Sequence, residues 1–425
     1  MSTSSISAET DTLLTSLFRH ESGRLVASLT RVFGPHNLQL AEDVVQEALE
    51  TALQAWKFQV PENPRAWLSK VARNRALDVI RHRTVELRFA EDYHAQLSTE
   101  WSLSQTVEES LAESNACESQ LRMMFTLCQP KLSQATQISL MLKFLCGFST
   151  SEIAAAFLCP EETIDKRLQR GRAALKRLGA LSPATLIGPD DPRLAAVLNA
   201  LYLLFNEGYH GSHPSMPMRI VLCEEALRLC ALMNEQSENA YPQGHALMAL
   251  MCFNLARAPG RLDETGVFLT LAEQDRSKWD RTLIERGLFH LGHSAQGQQL
   301  STVHLEAGIA CQHCLAKSIA QTDWKAILAL YELLYTLNSS PVIALNRALA
   351  LSYTGNSVAA LEAVETLEGL PTMATYPFYW AGRAEIHSRA KHGAQARRYF
   401  EKAASLARSP AETKAFMRNA QAQSI

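Results

Sequence analysis

The sequence has no apolar run long enough to cross a membrane, no surplus of either charge and few aromatic residues. Of its 425 residues, 47% are hydrophobic, 20% are charged and 7% are aromatic, and the formal net charge is -2. A membrane-spanning helix needs about 20 consecutive apolar residues, and a strongly basic total would point to nucleic acid. These absences leave globular material for about two to four domains, which we expect to be cytoplasmic and to make no membrane contact.

The sequence also lacks the short motifs that many enzymes carry. It contains no Gly-rich phosphate loop, no paired-carboxylate pattern and no nucleophile in a family-specific context. Its nine cysteines are scattered among helical patterns without an even framework, and no signal peptide precedes them. This usage is typical of free thiols in a reducing compartment. We therefore expect no enzymatic activity, no catalytic residue and no cofactor.

One pair of cysteines, Cys311 and Cys314, has the spacing of a metal site, and His290 and His293 precede it. A structural zinc site of this type needs a second such pair, which is missing. The pair also lies in a helical, alanine-flanked stretch. We therefore expect two small buried thiols and no metal.

Apolar residues recur at helical spacing along nearly the whole chain, and no strand-like alternation of useful length appears. The pattern predicts an all-α fold. In the helix predicted over 41–56, one stripe is apolar and the opposite face is acidic and polar. That face carries Asp43, Gln46, Glu47 and Glu50. A merely solvated face is the usual interpretation of such a pattern.

A second amphipathic helix follows the helix-entry signal Asn63-Pro64 and extends to Arg81. Cations neutralise phosphates, and an asparagine can hydrogen-bond a base edge, so its polar face is suited to nucleic acid. A solvent-facing helix with scattered arginines is the alternative. Arg75 falls on the apolar side of the helical wheel, where we expect a paired structural role. The polar face carries Lys70, Arg73, Asn74 and Arg81.

Residues 121–178 have the outline of a helix-turn-helix. Ser149-Thr-Ser-Glu152 is a capping box, and Pro160 is placed for the first turn of the next helix. A second helix with a basic outward face is what a major-groove reader needs, although many helical hairpins share this outline. The outward face of that helix carries Thr163, Lys166, Arg170 and Arg177.

Two stretches interrupt the helical pattern. Residues 86–118 are acidic and weakly periodic, which predicts a linker, and residues 179–192 form a second, Pro/Gly-containing linker. After it the chain is rich in Ala and Leu. Corresponding positions at Ala360 and Ala396 lie about 36 residues apart, close to the repeat of about 34 in a tetratricopeptide unit.

Two polar motifs stand out in this second half. Leu204-Phe-Asn-Glu-Gly-Tyr209 closes an apolar helix, and we expect Gly208 to cap its C-terminus. Asp275-Arg-Ser-Lys-Trp-Asp280 gathers charges around one tryptophan. It is either an internal salt-bridged corner or an exposed contact, and the sequence leaves both open.

The first half resembles a bacterial RNA polymerase sigma factor of the extracytoplasmic-function type. The resemblance rests on the order and spacing of Ala41–Ala48, Asn63–Asp78 and Ser149–Lys176, and it covers roughly residues 11–180. The second half resembles the subgroup with a long helical extension of tetratricopeptide-like repeats. The segments that carry this likeness are Arg193–Val197, Leu204–Tyr209, Asp275–Asp280, Thr322–Trp324 and Pro341–Ala348.

The resemblance implies an all-α architecture of two small helical sigma domains followed by a tetratricopeptide-like domain. Sigma region 2, which docks on the polymerase and reads the -10 element, is expected at residues 11–84, and an acidic linker at 85–120. Region 4, a helix-turn-helix that reads the -35 element, is expected at 121–180, and the extension at 190–425.

The resemblance also implies roles for individual residues. The acidic helix matches the one that docks on the clamp helices of the largest polymerase subunit, which makes Asp43, Val44, Gln46 and Glu47 candidate contacts. The loop over 57–64 matches the one that captures an unstacked base of the melted -10 element. Candidate contacts to that element are Asn63, Arg65, Trp67, Lys70, Arg73, Asn74 and Arg81. Candidate contacts to the -35 duplex are Thr163, Lys166, Arg167 and Arg170.

Two residues depart from the family pattern in the recognition helix. Asp165 places an acid off its basic face, for which we expect a structural or cytosine-reading role. Gly171 weakens the helix by about 1 kcal/mol relative to Ala.

These implications predict a sigma factor that binds core polymerase and directs promoter recognition and transcription initiation. We expect its extension to regulate activity in place of a separate anti-sigma factor, with a positive role favoured. The repeats could also engage a protein partner or another part of this chain. The alternative is a helix-turn-helix regulator with a helical-repeat sensor that never joins polymerase. Such a regulator has no need of an acidic docking helix.

Overall fold

The computed structural model describes residues 3–57, 59–87, 107, 111, 113–157, 159–178, 191–210, 218–235, 241–297 and 299–423. Within these ranges all regular structure is helical, apart from an antiparallel bridge between Leu262 and Phe268. The expected all-α fold is therefore confirmed. None of the helices in these ranges is long and apolar enough to span a membrane.

The chain forms two compact units. The first comprises Met1–Leu204 and Ala231–Asn239, and the second comprises Phe205–Cys230 and Ala240–Ile425. The unit boundary falls within the helices α8 (Leu194–Tyr209) and α9 (Ile220–Glu235). The other helices of the first unit are α1 (Thr3–Phe33), α2 (Leu38–Ala55), α3 (Pro64–Leu87), α4 (Glu113–Leu127), α5 (Gln134–Leu145), α6 (Thr150–Phe157) and α7 (Glu161–Leu178).

The apolar stripes of α2 and α3 pack against α1 in the first unit. Ala48 and Ala52 of α2 and Leu68, Ala72 and Ala76 of α3 are fully buried. The side-chain Oδ1 of Asn63 accepts a hydrogen bond from the Ala66 amide at 3.0 Å, which satisfies one of the free amides at the start of α3. The predicted helix-entry signal is thus confirmed, and the polar faces of both helices point away from the shared core.

The helix-turn-helix outline is confirmed in α6 and α7. The Ser149 amide donates to Glu152 Oε2 at 2.7 Å, and the Glu152 amide donates to Ser149 Oγ at 3.2 Å, which is the reciprocal pattern of a capping box. Helix α7 begins at Glu161, one residue later than predicted. Its apolar side is buried through Ile164, Leu168 and Leu175.

Gly171 has a packing role in α7. A Cβ at this position would lie 2.9 Å from Leu140 Cδ1, so glycine leaves room for the Leu140 side chain of α5, which would have to shift if the residue were larger. The loss of helix propensity therefore accompanies tight packing between two helices.

One expectation for the first unit needs correction. Residues 113–120 belong to the expected linker but are helical, because α4 begins at Glu113. Residues 88–106, 108–110 and 112 of that linker and residues 179–190 lie outside the described residues. The paired role expected for Arg75 is confirmed, since its Nε lies 3.7 Å from Glu47 Oε2, although its side chain is 49% exposed.

The second unit is a series of antiparallel helices. They are α10 (Pro242–Ala256), α11 (Arg281–Ser294), α12 (Thr302–Leu315), α13 (Trp324–Leu337), α14 (Pro341–Tyr353), α15 (Ser357–Glu365), α16 (Pro371–Ala374), α17 (Pro377–Arg389), α18 (Gly393–Leu406) and α19 (Pro410–Ala422).

Small residues let the last helices pack closely in pairs. Ala348 and Ala360 are fully buried where α14 meets α15, and Ala384 and Ala396 are fully buried where α17 meets α18. Val364 of α15 packs into the same cluster as Tyr379 and Ile386 of the following pair. This arrangement of successive hairpins is compatible with the expected tetratricopeptide-like repeat.

Gly208 does not cap a helix as expected, because α8 continues through it to Tyr209. A Cβ at Gly208 would lie 2.7 Å from Cys223 Sγ and 2.8 Å from the Arg219 carbonyl oxygen. The glycine therefore permits the start of α9 to approach the end of α8. Glu207 and Arg219 form a buried ion pair at the same place.

Candidate nucleic-acid interface

The acidic face of α2 lies at the surface of the first unit. Asp43, Gln46 and Glu47 are exposed. Asp43 Oδ1 accepts a hydrogen bond from Gln39 at 2.8 Å, which orients the carboxylate along the helix. Val44 is different, since only 2% of it is exposed. As a candidate partner contact it needs correction, because its side chain belongs to the core that holds the helix in place.

The neighbouring acid Glu42 is in contact with the helix-turn-helix. Arg172 of α7 donates to Glu42 Oε2 at 3.0 Å, and its guanidinium also lies 4.9 Å from the centre of the Phe144 ring. Local spacing does not indicate this ion pair, because the two residues are 130 positions apart. One edge of the acidic face is therefore already occupied by α7.

Helix α1 also contacts α6 of the helix-turn-helix and the end of α5. Arg19 forms an ion pair with Glu152 at 2.9 Å. A Cβ at Gly23 would lie 2.0 Å from the Leu145 carbonyl oxygen, so the backbones of α1 and the end of α5 are in close contact. Sequence reasoning missed Arg19 and Gly23 for the same reason as Arg172.

Three candidate residues at the start of α3 make structural contacts. Asn63 caps the helix. Arg65 Nε lies 3.0 Å from Glu21 Oε1, and the Glu21 side chain is 4% exposed. The Trp67 ring lies 5.4 Å from the ring of Trp56, at the edge-on angle that aromatic pairs favour.

The remaining candidates on α3 form the outward face. Lys70, Asn74 and Arg81 are exposed, and Arg73 is half-buried. Among the residues that the structure describes, Arg81 pairs with Asp78 of its own helix, at 3.4 Å, and both side chains are more than half exposed. Such surface pairs contribute little, so Arg81 can exchange Asp78 for a phosphate at small cost.

The candidates on α7 likewise divide by exposure. Lys166 and Arg170 are exposed, and Lys166 pairs with Glu162 one turn earlier at 2.6 Å. Thr163 and Arg167 are half-buried, and the Arg167 guanidinium lies 5.1 Å from the centre of the Phe157 ring. Asp165 is exposed beside them. The outward face of α7 thus has cations for phosphates and one acid that could accept from a cytosine.

The cysteine pair of the second unit is buried. Cys314 Sγ donates to the Phe253 carbonyl oxygen at 3.4 Å. Burial raises the pKa of both thiols, and the pKa of Cys314 rises to about 12. Across the described residues, no group of three or more His, Cys, Asp or Glu side chains is arranged to hold a metal ion.

The motif Asp275–Asp280 is a corner with a buried side and an exposed side. Asp275 accepts from the Ser277 amide at 3.0 Å, and Asp280 caps α11 through the Leu283 amide at 3.1 Å. Arg276 is 8% exposed and donates to the carbonyl oxygens of His313 and Ala316 at 2.8 and 2.7 Å. Arg276 and Trp279 are internal, whereas Asp275, Lys278 and Asp280 are exposed, so the motif has features of both interpretations, with carbonyl groups in place of salt bridges to Arg276.

Comparison with known proteins matches three parts of the chain. Residues 17–85 match the family model described as Sigma-70 region 2, and residues 122–175 match Sigma-70, region 4. Residues 193–295 match a family of unknown function, DUF6596. An uncharacterized protein of Rhizobium meliloti (strain 1021) is 32% identical over 389 residues, which cover 91% of this chain and 90% of that protein. No solved structure matches.

The matches coincide with the surfaces described above. The first contains the acidic face of α2 and the outward face of α3, and the second contains α7. The family of unknown function contains both the Glu207–Arg219 pair and the Asp275–Asp280 corner.

Proposed function

Because the chain belongs to the sigma-70 family, as a factor of the extracytoplasmic-function type with an additional C-terminal domain, we propose that the exposed face of α2 binds core polymerase and that the exposed faces of α3 and α7 bind promoter DNA. A sigma factor is a non-enzymatic transcription regulator that binds core RNA polymerase and promoter DNA. The finer assignment to individual residues is our proposal.

The domain limits that we propose follow the family matches. Region 2 occupies residues 11–84 and region 4 residues 121–180, around matches at 17–85 and 122–175. The start of α4 at Glu113 supports a linker shorter than 85–120 at its C-terminal end. The extension occupies residues 190–425.

Helix α2 docks on the clamp helices of the largest polymerase subunit through Asp43, Gln46 and Glu47. Their exposure opposite a fully buried stripe supports this assignment. Acidic side chains at a rim steer association and fix register more than they add affinity. Val44 supports the helix from within.

Helix α3 contacts the -10 element through Lys70, Arg73, Asn74 and Arg81. Asn63, Arg65 and Trp67 shape the start of the helix beside the base-capturing loop over 57–64, of which residue 58 lies outside the described ranges. Opening a base pair costs a few kcal/mol, and binding the extruded base offsets this cost. Lys70 and Arg81 neutralise phosphates, while Asn74 has the donor and acceptor pair that reads an adenine edge.

Helix α7 enters the major groove of the -35 element with Lys166 and Arg170 outermost. Thr163 and Arg167 are half-buried and lie closer to the body of the domain than Lys166 and Arg170. Stacking on Phe157 orients the Arg167 guanidinium. The extension then regulates the activity of these two regions, and we favour a positive role.

The main support for this function is that the chain has both an exposed acidic face on α2 and two regions that match sigma family models. A pull-down with core RNA polymerase tests it directly. Wild type should be retained, and the double variant Asp43→Lys, Glu47→Lys should lose at least about tenfold in affinity. The matched control is Glu332→Lys, Glu362→Lys, since both of these acids are exposed on extension helices.

Equal retention of the reversed and wild-type proteins would remove α2 as the docking helix. If neither protein bound polymerase while both bound duplex DNA, the chain would act instead as a helix-turn-helix regulator with a sensor domain.

A further inference from the structure

Three arginines of the second unit, Arg257, Arg261 and Arg276, form a positive group that we call the arginine cluster. Arg257 and Arg276 lie against the same Trp279 ring, with their guanidinium carbons 5.6 and 4.9 Å from its centre. Burial is the main cause of the lowered pKa of Arg276 and of Arg261, and the charge of Arg257 contributes to both. In the described ranges none of the three forms an ion pair with a carboxylate. By contrast, other arginines of this unit do: Arg219 with Glu207, Arg228 with Glu225, Arg383 with Glu368, and Arg418 with Asp263 and Glu273.

Each member of the arginine cluster lies at the C-terminus of a helix. Arg257 is itself the C-cap of α10. Arg261 Nη1 donates to the carbonyl oxygen of Tyr209, the last residue of α8, at 2.7 Å. Arg276 donates to the carbonyl oxygens of His313 and Ala316 at the end of α12. The chain therefore brings the negative ends of two helices to the guanidinium groups of Arg261 and Arg276, and Arg257 itself follows the end of a third.

The helix ends do not balance the charge. A helix C-terminus carries about half of one negative charge, whereas each guanidinium carries a full positive charge. About half of the positive charge in the arginine cluster is therefore uncompensated by these dipoles. Burying like charges without a counter-charge is unfavourable.

Several donors around the arginine cluster also lack a partner. Arg257 Nε, Trp279 Nε1 and His313 Nδ1 are buried nitrogen atoms for which the described structure contains no hydrogen-bond partner. The Trp279 ring lies 5.6 Å from the Arg257 guanidinium carbon and 4.9 Å from that of Arg276. Within the described ranges, the side chain of Arg257 makes one long hydrogen bond, from Nη2 to Gln274 Oε1 at 3.5 Å.

The arginine cluster reaches the surface on one side. Arg276 is 8% exposed, whereas Arg257 and Arg261 are partly exposed, and His210 beside Arg261 is exposed. Arg257 and Arg261 are therefore partly accessible to a ligand from solvent, whereas Arg276 and Trp279 are buried behind the surface.

We propose that the arginine cluster is a binding site for an oxyanion, a phosphate or carboxylate group of a small molecule, with Arg257 as the principal donor. A planar guanidinium presents parallel N–H groups that match two oxygens of either anion. The site contains residues of two motifs, Leu204–Tyr209 and Asp275–Asp280. Neither motif has a role in the promoter and polymerase contacts proposed above. The proposal concerns the extension alone and does not depend on the roles assigned to α2, α3 and α7.

The test is thermal unfolding of the full-length protein in a titration with sodium phosphate, with sodium chloride at matched ionic strength and sodium acetate as the carboxylate probe. We expect a saturable rise in Tm of about 3 °C at ten times the dissociation constant. Arg257→Gln should raise the phosphate concentration needed for the response at least about tenfold. Arg257→Lys should have an intermediate effect, because it keeps the positive charge but loses the two parallel N–H donors of the guanidinium. The matched control is Arg286→Gln, an exposed arginine of α11 that should keep the wild-type response.

The two sources of the anion are separable in the same experiment. A larger response to phosphate than to acetate would assign a phosphate-bearing ligand, and the reverse a carboxylate. A rise of equal size in chloride, or a phosphate response that Arg257→Gln retains, would overturn the proposal. If Arg257→Gln failed to fold, titration calorimetry of the wild type with phosphate would decide, and the absence of saturable heat would overturn it.

Discussion

The basic residues of α3 fall into two groups according to what their side chains touch. Arg65 contacts the buried carboxylate of Glu21, which also accepts from Arg24 at 3.3 Å. A buried carboxylate is costly unless cations and donors surround it. Lys70 is exposed on the same helix. Positive charge at the start of α3 therefore serves two purposes, one internal and one external.

This division predicts that two alanine substitutions affect different properties, stability in one case and DNA binding in the other. Arg65→Ala should lower the free energy of unfolding by about 1 kcal/mol, a modest value because Arg65 is half exposed. Lys70→Ala should leave stability within about 0.5 kcal/mol and reduce the salt dependence of promoter binding by about one phosphate contact. Urea denaturation and binding at several salt concentrations measure the two quantities.

The opposite pattern would exchange the two assignments. If Lys70→Ala destabilised the protein and left the salt dependence of binding unchanged, Lys70 would be a structural residue and the proposed -10 surface would need to be redrawn.

At the scale of elements, close approach of backbones holds the first unit together. Gly23 lets α1 contact the end of α5, and Gly171 lets α7 contact α5. These two glycines lie within helices, where glycine is otherwise unfavourable by about 1 kcal/mol. The contacts that they permit explain why the helices tolerate that loss.

Gly23→Ala is therefore expected to be strongly destabilising. The new Cβ would lie 2.0 Å from the Leu145 carbonyl oxygen, and a backbone atom cannot move aside as a flexible side chain would. Overpacking of this kind costs about 1–3 kcal/mol or more. Gly292→Ala in α11 is the matched control, because nothing lies within 4 Å of its Cβ position. It should be neutral or stabilising by up to about 1 kcal/mol.

Thermal unfolding of the two variants measures this difference. An unchanged Tm for Gly23→Ala would mean that α1 and α5 are not in this close contact in solution.

At the scale of the whole molecule, the two matched sigma regions share one compact unit with the start of α8. Arg193 lies over the Phe125 ring at 5.5 Å, and Cys128 Sγ contacts the Arg193 carbonyl oxygen at 3.9 Å. Val197 and Leu201 of α8 are fully buried. The region matched to the family of unknown function thus begins inside the unit that carries the sigma regions.

Truncation after Leu181 should accordingly abolish activity in a promoter reporter, in keeping with a positive role of the extension. Part of that loss would come from α4, which would lose the packing of α8. Arg193→Lys in the full-length chain removes the planar guanidinium from the Phe125 ring while keeping the extension and a cation for the buried carboxylate of Asp191, which lies 2.6 Å from Arg193 Nη2. It should retain most of the reporter activity, since one half-buried cation–π contact contributes about 1 kcal/mol.

Higher activity after truncation would show that the extension inhibits the sigma regions. Loss of activity in Arg193→Lys alone would assign the effect of truncation to packing.

The sequence by itself determined the helices and much of the candidate interface, because these depend on local chemistry. The spacing of Leu68, Ala72 and Ala76 identified the buried face of α3, and the hydroxyl and carboxylate of Ser149 and Glu152 identified the start of α6. Such signals act within one or two turns of a helix. The outward placement of Lys70, Asn74 and Lys166 follows from the same periodicity.

Only the tertiary structure decided which candidate residues act within the protein. Val44 is buried, Arg65 is paired with Glu21, and Gly208 admits α9 instead of ending α8. The ion pair of Glu42 with Arg172 and the arginine cluster join residues from distant parts of the chain. Periodicity specifies the face of a helix on which a side chain lies. The charge or backbone that meets this face depends on how the helices pack, which local spacing does not encode.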